Sequence, residues 1–241
     1  MDLTPDSNYR LTTQQLDRLN ERFALIHPDY ILRWAFREFG TGMVLGTGFG
    51  PSGVFLIHRL LKLGLPTPVF FLDTHLLFDE TYALKEELEE RYNIKITAVP
   101  PSLGLAEQAI EYGPELWKRN PDQCCNLRKV LPLQNYLSDK TAWISGIRRS
   151  QGDARRKADM FEWDQKNGVV KINPLIHFST ERVWHDIKKE NLPYNPMHDE
   201  GYPSIGCIPC TSQVAGNEPE RSGRWKEMDK TECGIHLPDP D

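Results

Sequence analysis

The chain has 241 residues, 39% of them hydrophobic and 26% charged, with a formal net charge of −5. That length can bury a full core. No apolar run approaches the ~18 residues of a membrane span, and the acidic balance argues against non-specific nucleic-acid binding. Residues 1–10 are polar and lack the apolar core of a signal peptide, so a cytoplasmic setting with reduced thiols is expected.

The predicted elements follow from hydrophobic spacing. Leu11, Leu16, Leu19, Phe23 and Ile26 recur every three to five residues, which predicts a helix over 11–26 with Thr12 or Thr13 near its start. A second helix follows Pro28, with Ile31, Trp34, Ala35 and Phe39 on its inner face. Met43, Val44 and Leu45 read as a strand. It is followed by a turn with four glycines in eight residues, Gly46-Thr47-Gly48-Phe49-Gly50-Pro51-Ser52-Gly53, and an apolar helix over 54–63. Strand, Gly-rich turn and helix form the architecture of an anion cradle, with free amides at the helix start as donors. The pattern is neither the dinucleotide fingerprint nor Walker A. A second strand over 68–72 ends in Asp73-Thr74. A helix over 80–91 follows, with Asp79 or Thr81 near its start, then a third strand over 94–99. Three βα repeats predict a doubly wound, mostly parallel α/β sheet. Ligands bind beyond the carboxyl ends of such strands, where both the Gly-rich turn and Asp73-Thr74 lie. Asp73 serves equally well as a turn cap.

Further along, 105–112 reads as a helix, and Pro114 opens another turn with Trp117 as a core anchor. The stretch 124–131 reads as a helix stopped or kinked near Pro132. A strand over 142–145 leads into Gly146-Ile147-Arg148-Arg149, which places Arg148 at the same crevice. Asn167-Gly168 marks the turn of a hairpin over 163–169. Thr180 is expected to cap a helix through Lys189. The segment 148–157 holds five cations, Arg148, Arg149, Arg155, Arg156 and Lys157, against Asp153 alone. Three segments are expected: a helical 1–40, an α/β domain over 41–215, and a flexible tail over 216–241.

The five cysteines fall into two pairs, Cys124-Cys125 and Cys207-Ile208-Pro209-Cys210, and the solitary Cys233. Two tight pairs in a cysteine-poor chain suit one metal site and leave the fifth thiol free to react. Cys-x-x-Cys alone is shared by zinc and redox sites. Adjacent side chains on a helix diverge by about 100°, so the vicinal pair reaches two irons of a cubane more readily than one tetrahedral ion. Four thiolates with no histidine in the motif favour one [4Fe–4S] cluster over zinc. Lys129 lies one helical turn beyond Cys125, placed to carry charge between a cluster and an anion. His236, three residues after Cys233, could help ionise the thiol or hold an anion.

Taken together, Cys124-Cys125-Asn126-Leu127-Arg128-Lys129, Gly146-Ile147-Arg148-Arg149-Ser150-Gln151, Ile172-Asn173-Pro174-Leu175, Pro193-Tyr194-Asn195-Pro196, 201–210, Gly223-Arg224-Trp225 and Glu232-Cys233-Gly234-Ile235-His236 resemble the assimilatory sulfonucleotide reductases, specifically the cluster-bearing adenosine 5′-phosphosulfate (APS) reductases. The resemblance runs from about Met43 to His236. It implies an adenine nucleotide α-hydrolase-like, Rossmann-like fold, in which Gly46-Thr47-Gly48-Phe49-Gly50 replaces the Ser-Gly-Gly-x-Asp-Ser of pyrophosphatases. That change suits a family that binds the nucleotide without splitting pyrophosphate.

The resemblance also implies reduction of APS to sulfite and AMP, in sulfate assimilation and cysteine biosynthesis, through an S-sulfocysteine on Cys233 resolved by thioredoxin or glutaredoxin. Implied site residues are Cys233, His236 and Lys129 for catalysis. For the substrate they are Thr47, Gly48, Phe49, Gly50, Asp73, Thr74, Arg148, Arg155, Arg221 and Arg224, with Arg156 competing for the place of Arg155. Cys124, Cys125, Cys207 and Cys210 are the implied cluster ligands. No nucleic acid, no membrane and a homo-oligomer are expected. Rival readings are the same chemistry on 3′-phospho-APS (PAPS) or on both nucleotides, a tRNA-thiolating pyrophosphatase relative, and a non-catalytic iron–sulfur or zinc protein.

Overall fold

The computed structural model describes residues 10–216, 218–226, 228 and 230–236. Six strands form one sheet in the order β3-β2-β1-β4-β6-β5. They are β1 (Met43–Gly46), β2 (Val69–Leu72), β3 (Ile96–Val99), β4 (Ala142–Ile144), β5 (Phe161–Asp164) and β6 (Val169–Ile172). All neighbours are parallel except β5, which runs antiparallel to β6. The doubly wound parallel sheet is as expected. The hairpin turns at Gly168, whose φ of 66° suits glycine.

Side chains alternate across each strand, and the core divides accordingly. Met43 and Leu45 face the larger cluster, while Val44 joins Phe70, Val99, Leu133, Leu137 and Trp143 on the opposite face. The larger face is covered by helices α1 (Thr13–Phe23), α2 (Pro28–Phe39), α3 (Pro51–Lys62) and α9 (Thr180–Lys189). Thr12 caps α1 through a capping box with Gln15, which settles the choice between Thr12 and Thr13. Helix α4 (Asp79–Tyr92) starts at Asp79. Among the described residues, no helix is long and apolar enough to cross a membrane.

Three expectations change. Ser179, not Thr180, caps α9: its side chain accepts from the Arg182 amide, which frees the Thr180 hydroxyl for the cleft. In the stretch after α5 (Leu105–Tyr112), helix α6 (Leu116–Arg119) anchors through buried Leu116, while half-buried Trp117 packs beside the cysteines. Helix α7 (Pro121–Cys125) does not break at Pro132. It widens into a π turn over Asn126–Val130 and continues as α8 (Leu131–Leu137). Pro132 sits in the first turn of α8, where a missing amide costs little. The π turn follows directly on the cysteine pair and itself carries Arg128 and Lys129; such turns are frequent at functional sites.

Candidate active site and thiol cluster

The sheet order reverses between β1 and β4, and a cleft of about 250 Å³ opens at the carboxyl ends of these strands. This is the switch-point crevice of doubly wound folds. The Gly-rich turn forms its floor. Thr47 Oγ1 accepts from the Phe49 amide, Phe49 takes a φ of 58° and packs on Phe71, and α3 starts at Gly50. A Cβ on Gly48 or Gly50 would meet nothing within 4 Å, whereas one on Gly53 would strike Thr47 Oγ1 at 2.4 Å. The donor supply is smaller than the sequence suggested. Pro51 has no N–H, and the Gly53 and Val54 amides close onto the Gly50 carbonyl.

Of Asp73 and Thr74, only Thr74 lines the cleft. Asp73 Oδ1 accepts from the Tyr82 hydroxyl at 2.6 Å and the His75 amide at 3.1 Å, so it acts as the turn cap. Thr74 is fully buried; its hydroxyl lies 3.3 Å from Cys207 Sγ and its carbonyl accepts from Arg128 Nη1.

The cations divide between the cleft wall and its surroundings. Arg148 is held by Ser52 Oγ, Thr180 Oγ1 and Glu220 Oε2. Arg155 grips Glu232 through Nε (2.6 Å) and Nη2 (3.1 Å), and donates Nη1 to Gln151 Oε1. Arg156 is exposed and paired with Asp153, so Arg155 is the member of the pair that faces the cleft. Arg221 also reaches Glu232, at 3.1 Å. Burial and the neighbouring Arg155 charge pull the Arg221 pKa down to about 10. Arg224 lies behind the cleft lining, with Nε on the Cys210 carbonyl and its guanidinium 4.5 Å from the Trp225 ring centre.

The described part of the C-terminal segment packs against the rest of the chain. Ile235 and His236 line the cleft, and His236 stacks on Trp143 at 5.7 Å and 9°. Half-buried His236 has a pKa well below its ordinary value, through desolvation first and then the charges of Arg155, Lys171, Arg221 and Lys129. Cys233 is 8% exposed and packs with Cys125, Cys207, Cys210 and Trp225 rather than on the cleft wall.

All five cysteines are free thiols. Cys124, Cys125, Cys207 and Cys210 line one small cavity together with Arg128, Lys129 and Trp117. Lys129 lines both this cavity and the cleft. Desolvation would lower its pKa, but the Cys207 and Cys233 sulfurs outweigh it and the shift is upward. Burial, then the Cys207 charge, pushes Cys124 up to about 11. Burial pushes Cys125 up to about 12 against the pull of Lys129. Cys207 alone among these four is lowered: burial raises it, but Lys129, the Thr74 hydroxyl and Arg224 outweigh burial.

The cavity also has donors without acceptors. Nε and Nη2 of buried Arg128 and Nε1 of buried Trp225 have no hydrogen-bond partner among the described residues. Buried donors are costly unless an acceptor is supplied. Four thiols sharing one cavity with the orphaned donors of Arg128, and with Trp225 packed against part of the thiol cluster, fit a compact anionic sulfur-rich body. Among the described residues, no group of three or more His, Cys, Asp or Glu is placed to hold a metal ion.

Comparison with known proteins agrees with this arrangement. The model of the phosphoadenosine phosphosulfate reductase domain matches residues 42–213. The chain belongs to this family. An adenosine 5′-phosphosulfate reductase of Salinibacter ruber is 49% identical over 226 residues, covering 93% of this chain and 90% of that protein. Adenosine 5′-phosphosulfate reductase 2 of Bacillus subtilis is 44% identical over 94% of this chain and 92% of its own length. Among solved structures, the phosphoadenylyl-sulfate reductase of Candida auris superposes with a TM-score of 0.75 at 30% identity, over 86% of this chain and 99% of that one. Yeast FAD synthetase, at 15% identity and a TM-score of 0.56, shares the fold.

Sequence reasoning passed over Gln151, Ser52, Thr180, Glu220 and Glu232, which order the cations. Ser52 belonged to the Gly-rich motif and Gln151 and Glu232 to strings that carry the family resemblance, but no local signal assigned them these contacts.

Proposed function

We propose that this chain is a thioredoxin-dependent APS reductase, which converts APS to sulfite and AMP through an S-sulfocysteine on Cys233. The observation that carries the reading is the junction at Lys129: one side chain faces both the nucleotide-sized cleft and the cavity of four thiols, with the Cys233–His236 segment seated against both. The names of the relatives from Salinibacter ruber and Bacillus subtilis support APS as the nucleotide.

In the first step the Cys233 thiolate attacks the sulfur of APS. The S–S bond forms as the bond from sulfur to the bridging oxygen breaks, and AMP leaves with that electron pair. An anionic nucleophile must approach an anionic group, so preorganised positive charge is the main requirement. Lys129, Arg155 and Arg221 supply it at the cleft, Arg224 adds charge from behind, and His236 donates as a neutral ring. The apolar walls of Phe70, Leu72 and Trp143 suit a nucleobase. In the second step a thioredoxin thiolate attacks Cys233 Sγ and releases sulfite, and the second thioredoxin thiol resolves the mixed disulfide. Two electrons pass from dithiol to sulfur, and Cys233 returns as a thiol.

Cys124, Cys125, Cys207 and Cys210 would hold one [4Fe–4S] cluster, with the Thr74 hydroxyl in hydrogen-bond reach of the Cys207 sulfur. When bound, it supplies a buried anionic body that fixes Lys129 and tunes the charge at the cleft. The five reduced thiols are consistent with a cytoplasmic setting.

The test is anaerobic sulfite release with reduced thioredoxin, comparing kcat/KM for APS and PAPS, with Cys233→Ser as control. The expected result is a strong preference for APS and no sulfite from the variant. No sulfite from either nucleotide, or undiminished release by Cys233→Ser, overturns the reading.

A further inference from the structure

The reaction above uses the basic residues and leaves two acids without a role, half-buried Glu220 and buried Glu232. Glu220 and Glu232 both lie on the C-terminal segment and both pair with arginines from the loop after β4. Glu220 accepts from Arg148 Nη2 (2.6 Å), Thr180 Oγ1 (2.7 Å) and Gln151 Nε2 (3.2 Å). Glu232, 3% exposed, is held at both carboxylate oxygens by Arg155 and again by Arg221. Gln151 joins the two pairs, donating to Glu220 and accepting from Arg155. The result is a string of alternating charge, Arg148–Glu220, then Arg155–Glu232–Arg221, along one wall of the cleft.

Glu232 immediately precedes Cys233. Burying a carboxylate is unfavourable by itself. Desolvation would raise its pKa, yet Arg155, Arg221 and Arg224 hold it below the ordinary range. A charge kept at such cost, next to the reactive thiol, on two arginines that face the cleft, points to a task beyond surface solvation.

We propose that Glu232 is the positioning residue that docks Cys233. Its carboxylate sits between Arg155 and Arg221 and fixes the thiol-bearing segment on the cationic wall. Glu220 anchors the start of the same segment on Arg148, and Gln151 keeps the two attachments in register. Glu232 touches no substrate in this scheme; it acts through the residues that do. The inference deepens the proposed function and rests on it for the identity of the reacting thiol.

The test compares wild type, Glu232→Gln and Glu232→Asp in three measurements on the whole protein. These are single-turnover formation of S-sulfocysteine from APS by intact mass, alkylation of Cys233 by iodoacetamide in the resting protein, and AMP binding. For Glu232→Gln we expect transfer slower by about tenfold or more, as when one partner of a buried charge pair is lost, and Cys233 alkylated faster by a comparable factor. AMP affinity should stay within about twofold, below the size of a typical lost charged contact. Glu232→Asp should recover part of both effects. Alkylation and transfer rates equal to wild type overturn the proposal. So does a loss of AMP affinity that accounts for the whole loss of rate, since Glu232 would then only shape the arginine wall. Should Glu232→Gln fail to fold, Arg155→Gln removes the partner that holds both carboxylate oxygens, and unchanged alkylation there overturns the docking role. If wild type forms no S-sulfocysteine, the functional reading fails, while alkylation still reports on docking.

Discussion

At the scale of single residues, the site is a contest between burial and neighbouring charge. Lys129 and Cys207 lie beside one another, and each favours the charged form of the other against the pull of desolvation. Lys129→Met should therefore lower kcat/KM for APS by about two orders of magnitude, the scale of one lost transition-state donor, as read by sulfite release. His236 shows the opposite balance. Its pKa lies below the ordinary 6.5, so the undocked segment takes up a proton more readily than the docked one. Docking is then fully favourable above about pH 6.5 and weakens as pH falls below that value. Titration of the His236 ring by NMR should give a midpoint below that of free histidine, moving upward when AMP is added. Cys233, the two cysteine pairs and His236 were legible in the sequence because sulfur and imidazole are rare and their spacing is local. Glu220 and Glu232 were not: an acid beside basic residues reads as solvated surface until long-range contacts bury it.

At the scale of elements, the strands and the place of the Gly-rich turn between β1 and α3 were legible because apolar runs and glycine content are properties of short windows, whereas the turn's donor supply depended on which amides close onto the Gly50 carbonyl. The exchange of roles at the start of α9 was harder to see, since Ser179 and Thr180 are both good caps and only tertiary contact assigns them. Ser179→Ala should cost about 1 kcal/mol in thermal or denaturant unfolding, the usual value of an N-cap, and leave AMP binding intact. Thr180→Val should cost little in the cap but disturb Arg148 and Glu220, which a fall in AMP affinity would report. The π turn left no mark in the sequence either. It arises without proline or glycine inside it, between two helices that a periodicity argument joins into one. It follows Cys124-Cys125 directly and carries Lys129, and all three line the thiol cavity, in line with the one-turn spacing between Cys125 and Lys129.

At the scale of the molecule, one sheet positions two compartments. The larger hydrophobic face anchors α1, α2, α3 and α9, and the smaller one carries Trp143 at the foot of His236. Leu88→Ala, at a fully buried core position, should cost about 2–5 kcal/mol of stability without changing the preference between APS and PAPS. The thiol cavity should behave differently. Protein purified anaerobically is expected to be brown, with broad absorbance near roughly 400 nm; Cys207→Ser should lose the colour, and stoichiometric zinc in a colourless wild type would refute the cluster.

The packing of Cys233 has a consequence for the life of the protein between turnovers. A nucleophile strong enough to take sulfur from a nucleotide is also a target for peroxide and for stray disulfides. With 8% of its surface exposed, among other sulfurs and behind an indole, the thiol is stored out of reach of these oxidants. Damage should therefore accumulate mainly in chains whose tail is undocked, so the working lifetime of the protein depends on how much time the tail spends docked.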